Sequence, residues 1–354
     1  MVRAKGKQKN AFVRFLMSVF PVKGDSIMEM VRKCVFICAI AAFVITGYTL
    51  FNDVTGEITQ LYIIPDQISS DKSQGSLNLS QETIDKIKVE KPYIREDLMT
   101  LYTKNSDLVG WFNLGENDKI IDHPVVQSYD NDKYLTTDFY GGYKKSGALF
   151  VDYRAQFSEN GQTPNFLTIY GHNTSSGIMF SKLTRYYYDK DNLGGGTDLT
   201  LDFYQKYPTI NFDTLAGDGV YKVFAAGLFN TQSQYGEVFD YLRDSRPFES
   251  KEDFNNYILE IMDRSCIFTD VDLTYGDDIL CMSTCYFPFG SLDIDNVRCV
   301  IFARKVREGE SPEVDVSKAK RNGYWKGWQQ AVDAGLCGYG KRVWDTSKLL
   351  SYEP

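Results

Sequence analysis

Histidine is nearly absent: the 354 residues contain two, His123 and His172. That scarcity leaves almost no room for a multi-histidine metal centre, and any imidazole chemistry must use one of these two side chains. Positive charge is also in deficit, with 39 Lys and Arg against 47 Asp and Glu and a net charge of −8. Such a balance argues against a nucleic-acid partner, whose binding surface would be basic. There is no internal repeat, and no low-complexity segment beyond one polar linker.

What is present describes a globular protein, since 43% of residues are hydrophobic and 24% charged. The charge is unevenly placed. Residues 1–33 hold Arg3, Lys5, Lys7, Lys9, Arg14, Lys23, Arg32 and Lys33 against Asp25 and Glu29, a local +6 that leaves −14 for the remainder. Residues 34–51 (CVFICAIAAFVITGYTLF) then carry no charge at all. As a helix that stretch is ~27 Å long, enough to span a bilayer. A buried core helix and a cleaved signal peptide are the rival readings. The uniform apolarity and basic flank favour a membrane anchor over the first, and the absence of a small-x-small site after Phe51 favours an uncleaved one over the second. The positive-inside rule puts the N-terminus in the cytoplasm and residues 52–354 outside.

Of seven cysteines, Cys34 and Cys38 fall in the anchor, and Cys266, Cys281, Cys285, Cys299 and Cys337 remain outside. An odd set leaves at least one thiol free, so a reactive cysteine is expected, although Cys281 and Cys299 fall on neighbouring expected strands where pairing stays open. Residues 52–90 read as a polar stalk. Beyond it, helical periodicity is expected at 94–103, 179–188 and 251–264. Strands are expected at 109–114, 123–127, 148–153, 166–170, 209–213, 221–228, 279–285 and 298–306. Many short strands with few helices predict one mixed β-barrel or sandwich.

Chemistry concentrates at two places. The first is Tyr170-Gly171-His172-Asn173, where a strand runs into a turn and sets His172 at the sheet rim, within reach of substrate and solvent protons. The rival reading is a turn histidine bonded to its own backbone. His123 precedes Pro124 at a strand start and has an ordinary structural account. The second place is the apolar run ending Ser283-Thr284-Cys285, a loop, and the strand opened by Arg298. As an antiparallel hairpin this brings thiol and guanidinium to one end of the sheet. A thiolate nucleophile, an imidazole that moves protons and a permanent cation for the oxyanion make an acyl-transfer site. Cys266, Cys281 and Cys299 suit buried, inert positions.

These motifs resemble those of the class B sortases, membrane-anchored cysteine transpeptidases of Gram-positive bacterial surfaces. Three segments carry the resemblance over 91–307: Asn131-Asp132-Lys133-Tyr134-Leu135 with Gly147-Ala148-Leu149-Phe150-Val151-Asp152-Tyr153-Arg154; Tyr170-Gly171-His172-Asn173 with Met179-Phe180-Ser181-Lys182-Leu183; and Ser283-Thr284-Cys285 with Arg298. The resemblance implies an eight-stranded β-barrel with an N-terminal helical bundle, a catalytic trio of His172, Cys285 and Arg298, and a groove for the sorting signal lined by Asn131, Leu135, Tyr170, Ser283 and Thr284. It also implies the partners: sorting-signal-bearing surface proteins or pilins as acyl donors, and a peptidoglycan precursor or pilin lysine as amine acceptor. The chemistry requires no cofactor. Where the family usually reads Thr-Leu-x-Thr-Cys this chain has Cys281-Met282-Ser283-Thr284-Cys285, a change expected in packing or groove shape rather than chemistry. The expected organisation is a cytoplasmic segment 1–33, an anchor 34–51, a stalk 52–90, a catalytic domain 91–307 and a C-terminal extension 308–354. A membrane-anchored thiol peptidase and an inactive surface binding protein are the alternatives.

Overall fold

A computed structural model describes residues 11–58, 64–187, 201–233, 237–286, 297–322 and 346–350. The chain divides into two compact units, Met1–Ile63 and Ile64–Pro354. In the first, α1 (Ala11–Val19) is followed by the long α2 (Ile27–Ile58). The ammonium of Lys33 is buried at the turn between them, where it donates to the Met17 carbonyl at 2.6 Å and to Asp25 at 2.8 Å. Within α2, Ile27–Asn52 is long and apolar enough to cross a membrane, and it contains the expected anchor.

The second unit begins with helices where a stalk was expected. α3 (Ile64–Gln74) and α4 (Gln81–Glu90) occupy much of the polar segment 52–90, and Ser80 caps α4 by accepting the Thr83 amide. Ile68 and Ile87 are buried together with Leu98, Leu101 and Trp111. The compact unit therefore starts at Ile64, not near residue 91. A helix needs only a sparse apolar stripe to dock, and two or three isoleucines spaced through polar sequence supply one without raising its average hydropathy. A 3-10 turn at Glu96–Leu98 and α5 (Met99–Lys104) complete this N-terminal bundle, where 94–103 was expected to be helical.

The strands follow as β1 (Leu108–Leu114), β2 (Ile121–Val126), β3 (Leu149–Val151) and β4 (Phe166–Tyr170). Two short helices, α6 (Thr184–Tyr187) and α7 (Asp202–Lys206), precede β5 (Thr209–Thr214) and β6 (Val220–Asn230). Then come α8 (Lys251–Arg264), β7 (Ile267–Phe268), β8 (Ile279–Cys285), β9 (Val297–Lys305) and β10 (Lys320–Arg321). Eight of these close a barrel in the order β1-β2-β3-β4-β8-β9-β6-β5, while β10 pairs with β7 in a separate ribbon. Of the barrel pairs, β2/β3 and β4/β8 are parallel and the others antiparallel.

The run Ile279-Leu280-Cys281-Met282 is apolar on both faces because both are covered. Leu280 and Met282 point into the barrel beside Leu167, Ile169 and Ile301. Ile279 and Cys281 point outward, with Phe166, Val300 and Phe302, under α8. Ser250 caps α8 by accepting the Asp253 amide at 3.1 Å, and its buried face is Phe254, Tyr257, Ile258, Ile261 and Met262, at the three-and-four spacing of an amphipathic helix. Part of the C-terminal extension packs on this unit. Glu310 joins Arg304, Asn322 donates to the Ser265 carbonyl, and Leu349 fills the outer cluster. The aromatic residues Tyr324, Trp325, Trp328 and Trp344 lie outside the described residues.

Candidate active site

Strand register, rather than sequence proximity, assembles the site. β4 and β8 run parallel with Tyr170 opposite Ser283, and β8 and β9 run antiparallel with Cys285 opposite Arg298. The chain past β4 keeps tracking β8. The Gly171 amide reaches the Ser283 carbonyl at 3.3 Å, and the Asn173 side-chain amide donates to the Cys285 carbonyl at 3.0 Å. Gly171 is required for this: a Cβ there would sit 2.5 Å from Leu149 and 2.7 Å from Phe180. Two residues beyond each paired position, His172 comes level with Cys285. The three side chains thus form a row across adjacent strand ends, separated by about one strand spacing of ~4.8 Å per step.

Strand alternation sets the row on the barrel's outer face, since Ser283 and Cys285 share the parity of Cys281, and Arg298 that of Val300. His172, Cys285 and Arg298 are each half-buried. The Nε2 of His172 lies 2.9 Å from the Leu135 carbonyl, which can only accept, so Nε2 is the nitrogen that donates to it. Arg298 donates to the Val297 carbonyl at 3.2 Å. All eight expected residues line one cavity of about 370 Å³: His172, Cys285, Arg298, Asn131, Leu135, Tyr170, Ser283 and Thr284. Asp132, Phe150, Gly171, Thr231, Tyr241 and Leu242 complete its walls.

The groove residues differ in what they offer. Leu135 is 37% exposed and presents apolar surface. Ser283 is buried, with its hydroxyl 3.0 Å from that of Tyr241. Thr284 is 2% exposed on the parity opposite to Cys285, and its hydroxyl has no partner among the described residues. Asn131 donates to Asp152 at 3.2 Å and accepts the Tyr153 amide at 3.0 Å, so it stands as a braced wall rather than a free recognition group. Burial, and then the charge of Asp152, pushes the Tyr170 hydroxyl well above its usual range, so it remains a neutral donor. Sequence reasoning missed Tyr241 and Leu242, because nothing in the segment after β6 signals that it folds back over the strand ends. Asp152 was visible within a motif but had no stated role.

The other thiols are of a different kind. Cys266, Cys281 and Cys299 are fully buried, and desolvation pushes Cys266 up to about 11 and raises the other two well above the ordinary thiol range. Pairing of Cys281 with Cys299 does not occur. Cys281 faces outward opposite Phe302, whereas Cys299 faces the interior opposite Thr284, and both are free. Burial likewise holds the His123 imidazole down at about 4, against the opposing pull of Asp122, so it is neutral at physiological pH. Arg304 lies at the far end of β9, opposite Ile279, and is enclosed by Glu310 and Asp272.

No family model matches the chain. Among curated proteins, Sortase B of Listeria monocytogenes is 29% identical over 196 residues, which is 54% of this chain and 68% of that protein. Sortase B of Staphylococcus aureus is 29% identical over 194 residues, 54% of this chain and 69% of that protein. Among solved structures, sortase B from B. anthracis in complex with AAEK1 superposes with a TM-score of 0.50 at 23% identity, covering 71% of this chain and 99% of that one, a likeness of fold. The likeness carried by three short motifs therefore extends over about half of the chain, and the proteins it resembles in sequence are class B sortases, a family of cysteine transpeptidases.

Proposed function

We propose that Cys285 attacks the carbonyl carbon of a threonyl peptide bond in a C-terminal sorting motif. The thiolate forms the C–S bond as the carbonyl π pair moves to oxygen, and the guanidinium of Arg298 holds that oxyanion. Collapse breaks the C–N bond, and His172 gives the departing amine its proton, leaving a thioester on Cys285. An acceptor amine then attacks the thioester, His172 takes its proton, and the thiolate leaves, so the enzyme is restored and one amide bond replaces another. The acceptor is an amine of a peptidoglycan precursor or a pilin lysine. The observation that carries this reading is the register across β4, β8 and β9, which sets imidazole, thiol and guanidinium in one row at the mouth of one cavity. Ser283, Thr284, Tyr170, Asn131 and Leu135 form the receiving groove in this reading.

The same proposal sets the apolar helix as an anchor over 34–51, with residues 1–33 cytoplasmic and the catalytic unit outside the cell. Protease added to intact protoplasts should remove that unit; full protection would reverse the orientation. The chemical test incubates the purified protein with a panel of quenched-fluorescent peptides bearing threonine before the cut bond, with and without hydroxylamine. Transpeptidation yields the hydroxamate with the amine present and little product without it. Equal hydrolysis in both conditions would instead make the protein a thiol peptidase.

A further inference from the structure

Beneath the groove lies a carboxylate that the proposed chemistry does not use. Asp152, just past β3, is fully buried. One of its oxygens accepts from the Tyr170 hydroxyl at 2.8 Å, from the Arg154 guanidinium at 2.8 Å and from the Asn131 amide at 3.2 Å. The other accepts from the backbone amide and Nε of Arg154, each at 2.9 Å. Burial alone would raise this carboxyl, but the Arg154 and Tyr170 bonds outweigh it and hold it ionised below the usual carboxylate range. Arg154 continues the chain outward. Its remaining amino group pairs with Asp244. Asp244 is the centre of three consecutive non-glycine residues in the left-handed region, Arg243, Asp244 and Ser245, with φ of 52°, 51° and 56°. Such a turn is costly for residues bearing a Cβ and persists only where its surroundings impose it. It directly follows Tyr241 and Leu242, which wall the cavity.

We infer that Asp152 is a positioning residue that braces both sides of the groove from one buried point. Tyr170 and Asn131 are fixed directly, and the Tyr241–Leu242 wall is fixed through Arg154 and Asp244. The inference rests on the proposed function of this cavity and names how its binding surface is held. The Asp152 amide bonds the Thr168 carbonyl, level with Cys281 rather than Cys285, and its carboxylate bonds Asn131, Arg154 and Tyr170 rather than the three proposed reacting groups, so its loss should loosen peptide binding and leave thiol chemistry alone. Asp152→Asn keeps the shape but replaces one charged acceptor by an amide that repels the Arg154 fork.

The test uses the full-length protein, hydroxylamine, and the fastest-cleaved peptide of the threonine panel. Asp152→Asn should raise KM by tenfold or more with kcat within about threefold of wild type. The rate at which a charged methanethiosulfonate modifies Cys285 should stay within twofold. Asp244→Asn, at the exposed end of the brace, should raise KM severalfold, and the double variant should be no worse than Asp152→Asn. An unchanged KM in folded Asp152→Asn, a fall in kcat alone, or multiplicative effects in the double variant would each overturn the brace. If Asp152→Asn does not fold, Asp244→Asn decides, and an unchanged KM there defeats the inference. Cys285→Ala runs alongside: turnover in that variant strikes the proposed nucleophile, whereas its silence beside a normal KM in Asp152→Asn strikes the brace alone.

Discussion

The two ends of β9 carry the same residue type in opposite settings. Arg298, at one end, is half-buried on the wall of an open cavity beside a half-buried thiol. Arg304, six residues on, is fully buried, and Glu310, Asp272, Arg307 and Lys222 surround it in a network that joins the strand to the C-terminal extension. Strand geometry separates the two by ~20 Å. A buried guanidinium met by carboxylates is held for structure, whereas the other lies on the wall of the groove to which a substrate role is proposed. The cysteines repeat the contrast on β8, where Cys281 is sealed under α8 and Cys285 emerges at the rim. Position along the strand, more than residue type, separates the groups proposed to react from those held in the core.

The cysteine pair offers the most severe way to break that contrast. Cys285→Ala should lose acyl transfer by at least about a thousandfold and melt near wild type, because a rim thiol contributes little packing. Cys281→Ala should keep its turnover and lose about 1 kcal/mol of stability, a usual cost for a core truncation. Peptide kinetics and thermal melts on both proteins check this, and turnover surviving in Cys285→Ala would overturn the nucleophile. The histidines come next. His172→Ala should fall by about a hundredfold to a thousandfold and His123→Ala should stay active, because its imidazole is already neutral and lies outside the cavity. An inactive, well-folded His123→Ala would reverse the assignment.

The arginines sharpen the comparison further. Arg298→Lys should lose transfer by roughly ten- to a hundredfold, since an ammonium lacks the planar fork that meets an oxyanion with two parallel bonds. Arg304→Lys should keep its activity but melt lower. The lower melting follows from the enclosure of Arg304, because a lysine there leaves part of a bidentate carboxylate network unmet. An active Arg298→Lys beside an inactive Arg304→Lys would sink the choice of cation.

Much of this contrast was legible in the residues. The run 279–285 and the helix 251–264 match the structure at both ends, because a doubly covered strand is apolar throughout and a capped amphipathic helix declares its limits. The Cys285–Arg298 pairing followed from hairpin geometry alone. What stayed hidden depends on contacts between distant segments. α3 and α4 were obscured because their docking needs so few apolar residues. Tyr241 and Leu242 reach the groove only through the fold of the segment between β6 and α8, and Asp152 gains its importance from Asn131, Tyr170 and Arg154 converging on it.

The smallest expected effect concerns the far end of β9, at Glu310. Its carboxylate accepts from Arg304 and Lys222 and from the Arg307 amide. The Arg304 bonds above all hold it far below the usual carboxylate range, against the opposing effect of burial. A carboxyl depressed in the folded state adds stability above its unfolded pKa of ~4.3 and loses it as pH falls through the folded value. Glu310→Gln should therefore melt a few degrees below wild type at pH 7, on the order of 2 kcal/mol. The gap should narrow progressively as the solution is acidified below pH 4, because the unfolded chain then takes up a proton that the folded carboxylate does not, and close only once the folded carboxylate is protonated too. Peptide KM and kcat should not move, since the network lies at the end of the strand away from Cys285. A gap that persists unchanged in acid would show that Glu310 acts through packing rather than charge. A changed KM would show that the two ends of β9 are coupled, and the separation drawn between its two arginines would fail.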